Sequence, residues 1–174
     1  MCALSKFAAV VALAFASVAS ANDANQSITL PSGVSIQIIE TPFASKGHDV
    51  KGCTGDVDLC IIDGRIPYGS FIDLPHTQLK SMIAIYRGKR YSLDTSQMFN
   101  AWGGRPLKDG DTRYFGGGCG DEENCIFRGL FSDGAGTFVA EWRVRNGVSE
   151  RTILTRSSDV MNVLRNNLDA RKTR

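Results

Sequence analysis

CIFRGLFSDGAGTFVAEWRVRNGVSERTILT, residues Cys125 to Thr155, reads as three consecutive β-strands. The Asn146-Gly147 pair supplies the two φ > 0 residues that a two-residue type I′ hairpin needs. With the turn placed there, Arg145 stands opposite Val148, Arg143 opposite Glu150 and Trp142 opposite Arg151. Side chains alternate faces along a strand, so Phe138, Ala140, Trp142, Val144 and Ile153 share one side. Glu141, Arg143, Arg145 and Glu150 share the other, which makes one face dry and one wet. A second turn, Ser132-Asp133-Gly134-Ala135-Gly136, joins Cys125–Phe131 to the same sheet.

Upstream, Arg90–Asp94 and Ser81–Arg87 form a second hairpin across Gly88-Lys89, with Met82, Ala84 and Tyr86 on one face. Ser27–Leu30 and Val34–Glu40 are strands around Pro31-Ser32-Gly33, where glycine can take φ > 0. The polar leader Asn22 to Gln26 is expected to fray. Thr41 to Gly55 is loop-like, Val57–Ile62 is a short apolar run ended by the turn Asp63-Gly64, and Arg65 to Lys80 is irregular. Asp94 precedes Thr95-Ser96-Gln97 in the pattern of a capping box, which predicts a short mid-chain helix docked by Met98, Phe99 and Trp102. Gly103-Gly104 stops it. After the three strands, Ser157 or Ser158 caps a final helix whose Val160, Met161, Leu164 and Leu168 form one stripe, with Arg165 near its negative end. The fold class that follows is α+β: a mainly antiparallel meander of hairpins with a C-terminal amphipathic helix.

The first 21 residues read as a secretory signal peptide. Lys6 precedes the apolar run Phe7 to Ala16, and Ala19-Ser20-Ala21 is an A-x-A cleavage site. Residues 22–174 are then a single β-rich domain, long enough for a real core and expected in the periplasm without a membrane anchor. Lys6 is the leader's only charged residue, so the 20 basic side chains of the chain become 19 against 18 acidic. That balance argues against nucleic acid or an anionic membrane as partner. Four cysteines remain, an even number that argues for disulfides in an exported chain. Of the three connectivities, the expected one is local, Cys53–Cys60 with Cys119–Cys125. Each such loop adds roughly 2–2.5 kcal/mol in the chain-entropy treatment. Zinc is the rival, but neither pair has the C-x₂₋₄-C spacing or a histidine close in sequence.

A catalytic set is hard to assemble. His48-Asp49 could be a base and its orienter, but adjacent residues in an extended loop point apart. His76 follows Pro75 at the start of a Thr-Gln-Leu-Lys turn, where capping is commoner. Oxidised cysteines leave no thiolate nucleophile. Gly116-Gly117-Gly118-Cys119-Gly120 lacks the Lys-Ser/Thr of a phosphate cradle and reads as room for a disulfide-closed turn. Asp109-Gly110-Asp111 with Asp121-Glu122-Glu123 lacks the order of a calcium loop. Trp142 and Arg151 could stack as a cation–π pair, and Arg128 could pair with Glu141. No enzyme, metal or cofactor is expected on these grounds.

The words FRGLFSDGAGTFVAEW and ERTILT, with Cys53, Cys60 and Leu93-Asp94-Thr95-Ser96-Gln97-Met98-Phe99-Asn100, resemble periplasmic immunity proteins of type VI secretion peptidoglycan amidase effectors. The resemblance covers about residues 50–165 and implies a protein partner, a secreted peptidoglycan hydrolase. Inhibition then needs only a rigid loop that enters the toxin's cleft. The first choice for that loop is the 105–124 region, with Asp109, Asp111, Asp121 and Glu122; the second is the turn at Ser132 and Asp133. A lysozyme inhibitor and a small periplasmic hydrolase using His48 or His76 are the alternatives. The exposed edge at Ser27–Leu30 offers a route to a homodimer.

Overall fold

Asn146 and Gly147 both take positive φ, 51° and 77°, and join β9 (Phe138–Arg145) to β10 (Val148–Thr155). The register places Arg145 opposite Val148, Arg143 opposite Glu150 and Trp142 opposite Arg151, as the turn chemistry demands. The computed structural model describes residues 24–56, 58–102, 114–132 and 136–168. The expected signal peptide therefore lies outside the described residues, as do most of the Arg105 to Asn124 region's first half and the turn residues 133–135.

The strands form two four-stranded antiparallel sheets. One has the order β10-β9-β8-β7, with β8 (Cys125–Phe131) and β7 (Phe115–Cys119) completing the meander. The other contains β1 (Ala24–Thr29), β2 (Ser35–Pro42), β5 (Thr77–Tyr86) and β6 (Lys89–Leu93), in the order β1-β2-β5-β6. Between β2 and β5 the chain makes a small ribbon of β3 (Val50–Lys51) and β4 (Ile61–Ile62), followed by a tight turn at Asp63 and Gly64, both at positive φ. The two larger sheets pack face to face. Ile28, Ile36, Ile38, Met82 and Leu93 of one sheet share a single core with Phe127, Phe131, Phe138, Trp142 and Val144 of the other. Phe131 and Phe138 stack with ring centroids 5.1 Å apart, and Trp142 meets Phe131 edge-on at 6.1 Å. Burying each such side chain contributes about 1.5–3 kcal/mol.

Arg151 closes one edge of this sandwich. Its guanidinium bonds to the carbonyl of Asp94 at 3.2 Å, the carbonyl of Ser96 at 2.7 Å and the Asp94 carboxylate at 3.0 Å. Trp142 Nε1 donates to the same Asp94 carbonyl at 2.9 Å. The Trp142–Arg151 pair thus meets through shared bonds to Asp94 rather than through the stacking that the cross-strand register suggests.

The second face of the meander is wet only toward the hairpin tip, where Arg145 and Glu150 are exposed; around Glu141 it is covered. Helix α1 (Ser158–Asn166) lies on it, and Leu164 packs against Leu130 and Val139, flanked by Val160 and Met161. Ile153 belongs to this layer and not to the main core. The register shifts between Arg151 and Ile153, so that Ile153 pairs with Glu141 instead of Ala140. One extra residue at a bulge sends every later side chain to the opposite face. Ser157 holds the N-cap position without a side-chain cap bond.

Other expectations need correction. No helix forms after Asp94. Its Oδ1 does accept from Ser96 N–H at 2.9 Å, but Gln97 sits at φ 63°, which ends any right-handed turn. Met98 and Phe99 instead bridge to Tyr68 and Gln78 in short β-pairs, and both are buried. The leader does not fray from Ala24 onward, because Asn25 and Gln26 pair with Ile39 and Ile38. The β5–β6 turn is Arg87-Gly88, one residue earlier than Gly88-Lys89, with both residues at positive φ. Thr77–Lys80 is strand, not turn.

The triple glycine is also strand. Gly116, Gly117 and Gly118 form β7 against Arg128, Phe127 and Ile126. A Cβ on Gly116 would lie 2.1 Å from the Leu168 carbonyl, and one on Gly117 2.0 Å from the Ile126 carbonyl. Glycine is there because the end of the helix segment lies directly on the edge strand. Both disulfides have the local pairing, Cys53–Cys60 and Cys119–Cys125, and bonded cysteines of this kind point to an oxidising compartment. Among the described residues no helix is long and apolar enough to cross a membrane.

Candidate interaction surface

The sandwich has two unlike ends. At one, tight turns gather: Gly147 N–H donates to the Glu123 carbonyl at 3.3 Å, and Lys89 pairs with Glu122 at 3.3 Å. At the other, the strands run out into long connections, residues 43–76, 94–102 and the Ser132 turn. Strand β8 separates these ends by seven residues, about 20 Å at ~3.3 Å per residue.

This geometry divides the residues expected to meet a partner. Asp121 and Glu122 lie at the turn end, while Ser132 lies at the loop end, so the structure does not bring them together. Asp109, Asp111 and Asp133 fall outside the described residues. Asp121 is occupied in closing its own turn. It accepts from Glu123 N–H at 2.8 Å and from the Asn124 amide at 3.0 Å, and these bonds hold its carboxyl below the usual range. The Glu122 carbonyl accepts from the Tyr91 hydroxyl. Ser132, at φ 63°, donates its N–H to the Ala101 carbonyl.

The histidines are likewise bound into local structure. His48 Nδ1 lies 2.7 Å from Asp63 Oδ2, and Asp49 N–H donates to Asp63 Oδ1 at 3.0 Å. The orienting carboxylate is therefore Asp63, across the β3–β4 ribbon, and not the adjacent Asp49, which pairs with Lys51 at 2.8 Å. The His48 bond lowers the Asp63 carboxyl below its ordinary value. His76 splices the end of β2 to the next loop. Its N–H donates to Asn100 Oδ1 at 2.8 Å, and its carbonyl accepts from Phe43 N–H at 2.8 Å. Among the described residues no group of three or more His, Cys, Asp or Glu is placed to hold a metal ion.

What dominates the loop end is a lobe over residues 52–76. Gly52 and Cys53 both take positive φ, 66° and 65°, and a Cβ on Gly52 would lie 2.3 Å from the Leu59 carbonyl. That tight approach lets Cys53 reach Cys60. Cys60 is buried in a small core with Ile62 and Phe99, and its N–H donates to the Phe71 carbonyl at 2.9 Å. Gly55 N–H donates to the Ile72 carbonyl at 3.2 Å, and Thr54 bridges to Asp73. The disulfide loop and the 71–73 segment are thus laced together by backbone bonds.

Arg156 fixes the other side of the lobe. Its guanidinium lies 5.0 Å over the Tyr68 ring and 5.5 Å over Phe71, and it donates to the Pro67 carbonyl. Burial pulls its pKa below the ordinary arginine value. Tyr68 in turn donates its hydroxyl to the Leu154 carbonyl at 3.0 Å. On this anchored frame four large apolar side chains stay open to solvent: Phe71 at 51%, Leu59 and Leu74 at 41%, and Ile66 at 38%. Large apolar side chains left exposed on a fixed frame make this lobe the candidate interaction surface.

Sequence reading passes over this lobe because Leu59, Ile66, Phe71 and Leu74 follow neither a period of two nor one of 3.6. The signal that finds it is the reverse one, large apolar residues among Pro67, Gly69 and Pro75 with no period to bury them. Comparison of the chain with protein-family models, with characterised proteins and with solved structures finds no match.

Proposed function

We propose that this chain is an exported inhibitor, an immunity protein that binds and blocks a peptidoglycan-degrading toxin, foremost an amidase delivered by type VI secretion. The observation that carries the reading is the anchored lobe with its four open apolar side chains. A partner that covers them gains apolar burial, and the lobe loses little freedom on binding because a disulfide and backbone bonds already hold it. Such an inhibitor needs no chemistry of its own; it needs to fill a cleft and keep substrate out. The disulfides suit an oxidising compartment, and the signal-like leader and the resemblance to amidase immunity proteins favour the periplasm, where peptidoglycan is within reach.

The test mixes the purified chain from Asn22 onward with a panel of peptidoglycan amidases and, in parallel, with lysozyme, and follows release of cell-wall fragments. Stoichiometric inhibition of an amidase is expected, with no release by the chain alone. Inhibition of lysozyme and of no amidase moves the reading to a lysozyme inhibitor. Fragment release by the chain without any second protein overturns inhibition altogether.

A further inference from the structure

We infer that the partner docks on the 54–74 lobe, and that the surface it presents there is basic around an apolar centre. The inference rests on the inhibitor reading above and names its contact surface, at the end of the sandwich opposite the Asp121–Glu122 turn.

The charge of the lobe is the first ground. Residues 49–74 carry five carboxylates, Asp49, Asp56, Asp58, Asp63 and Asp73, against two cations of their own, Lys51 and Arg65, and Arg156, seated over Tyr68 and Phe71, adds a third. The chain as a whole carries a formal charge of +2, so the lobe is an acidic region on a weakly basic molecule. Asp49 and Asp63 are engaged by Lys51 and His48. Asp56, Asp58 and Asp73 remain, all exposed, and all on the same laced segment as Leu59, Phe71 and Leu74. An acidic rim steers a basic surface toward it and disfavours an acidic one.

The second ground is the way the apolar groups are held. Phe71 takes its place from both sides, its carbonyl bonded to Cys60 N–H and its ring under Arg156, yet half of it faces solvent. The Cys60–Phe71 bond also fixes Leu59 beside it in the chain, and Pro67, bonded to Arg156, follows Ile66. A pre-positioned aromatic with aliphatic neighbours and a charged rim is the arrangement of an interface hot spot.

The experiment measures affinity and association rate for each amidase of the panel and for lysozyme. It compares the wild-type chain with Phe71→Ala/Leu74→Ala, Asp56→Lys/Asp58→Lys, Asp121→Lys/Glu122→Lys and the far-end control Val148→Ser. Thermal melting confirms that each variant folds. The apolar pair should weaken binding about 30-fold or more. The lysine pair should slow association about 10-fold and flatten its salt dependence. Both turn-end variants should bind as wild type does. Wild-type affinity in the folded lobe variants, or loss confined to Asp121→Lys/Glu122→Lys, overturns the docking surface and leaves the inhibitor reading standing. A wild-type chain that binds no hydrolase of the panel overturns both.

Discussion

Glu141 lies in the layer between sheet and helix with an arginine on each oxygen. Arg128 Nε donates to Oε2 and Arg143 Nε to Oε1, both at 2.8 Å, and Thr152 Oγ1 lies 3.1 Å from Oε1. Arg128 continues the chain of bonds to the Asn167 carbonyl at the end of the helix, where a cation is favourable. Burial opposes ionisation of Glu141, but the bonds from Arg143 and Arg128 outweigh it and keep the carboxyl below its ordinary value. A lowered folded pKa means stability that is present above the unfolded value, about 4.5, and lost as pH falls through the folded one. Glu141→Gln should therefore flatten the acid limb of a stability–pH curve. Glu141→Ala should cost about 3–5 kcal/mol in urea unfolding, because the partly buried Arg128 loses its carboxylate partner. Glu40 has the opposite sign. Burial raises its pKa, against bonds from Thr77 and the backbone of Ala101 and Trp102, so its contribution is full below about pH 4.5 and fades as pH rises through the folded value. Glu40→Gln should reduce that fade, read in the same unfolding series at rising pH.

At the scale of the element, the helix and the glycine strand depend on each other. Leu164→Ala should destabilise by about 2–5 kcal/mol through the cavity left against Leu130 and Val139. Gly116→Ala should destabilise too, since its Cβ would meet the Leu168 backbone; loss of helix signal in circular dichroism before the sheet melts would locate the damage. The hairpins were legible because period-two alternation and Asn-Gly turns are local signals, and the register of β9 with the first half of β10 follows from one turn. The bulge near Thr152 was not legible. A one-residue shift leaves no mark in composition, and it alone moves Ile153 from the core to the helix layer. The helix expected after Asp94 failed for a related reason. The capping signal is real, but the backbone of Met98 and Phe99 finds partners in Tyr68, Leu79 and Gln78, and tertiary pairing overrides a weak local preference.

Across the whole molecule, the core and the proposed docking surface lie in separate places. The sandwich core and Arg151 hold the two sheets together, while the lobe reaches that core through Tyr68 on Phe138 and presents Leu59, Ile66, Phe71 and Leu74 outward. Cys53→Ser/Cys60→Ser should therefore lower unfolding stability by only about 2.5 kcal/mol, yet loosen the lobe enough to weaken hydrolase binding; hydrogen exchange at Gly55 and Cys60 should rise while that of β9 stays slow. The candidate surface was less legible than the fold, because it depends on Arg156 reaching Phe71 from 85 positions away, a contact no local pattern announces. The unlike ends of the sandwich also settle how the protein can be handled. A biotin-acceptor peptide inserted between Asn146 and Gly147 would sit on a tight hairpin tip far from the lobe, so immobilised molecules would stand with the lobe facing the solution.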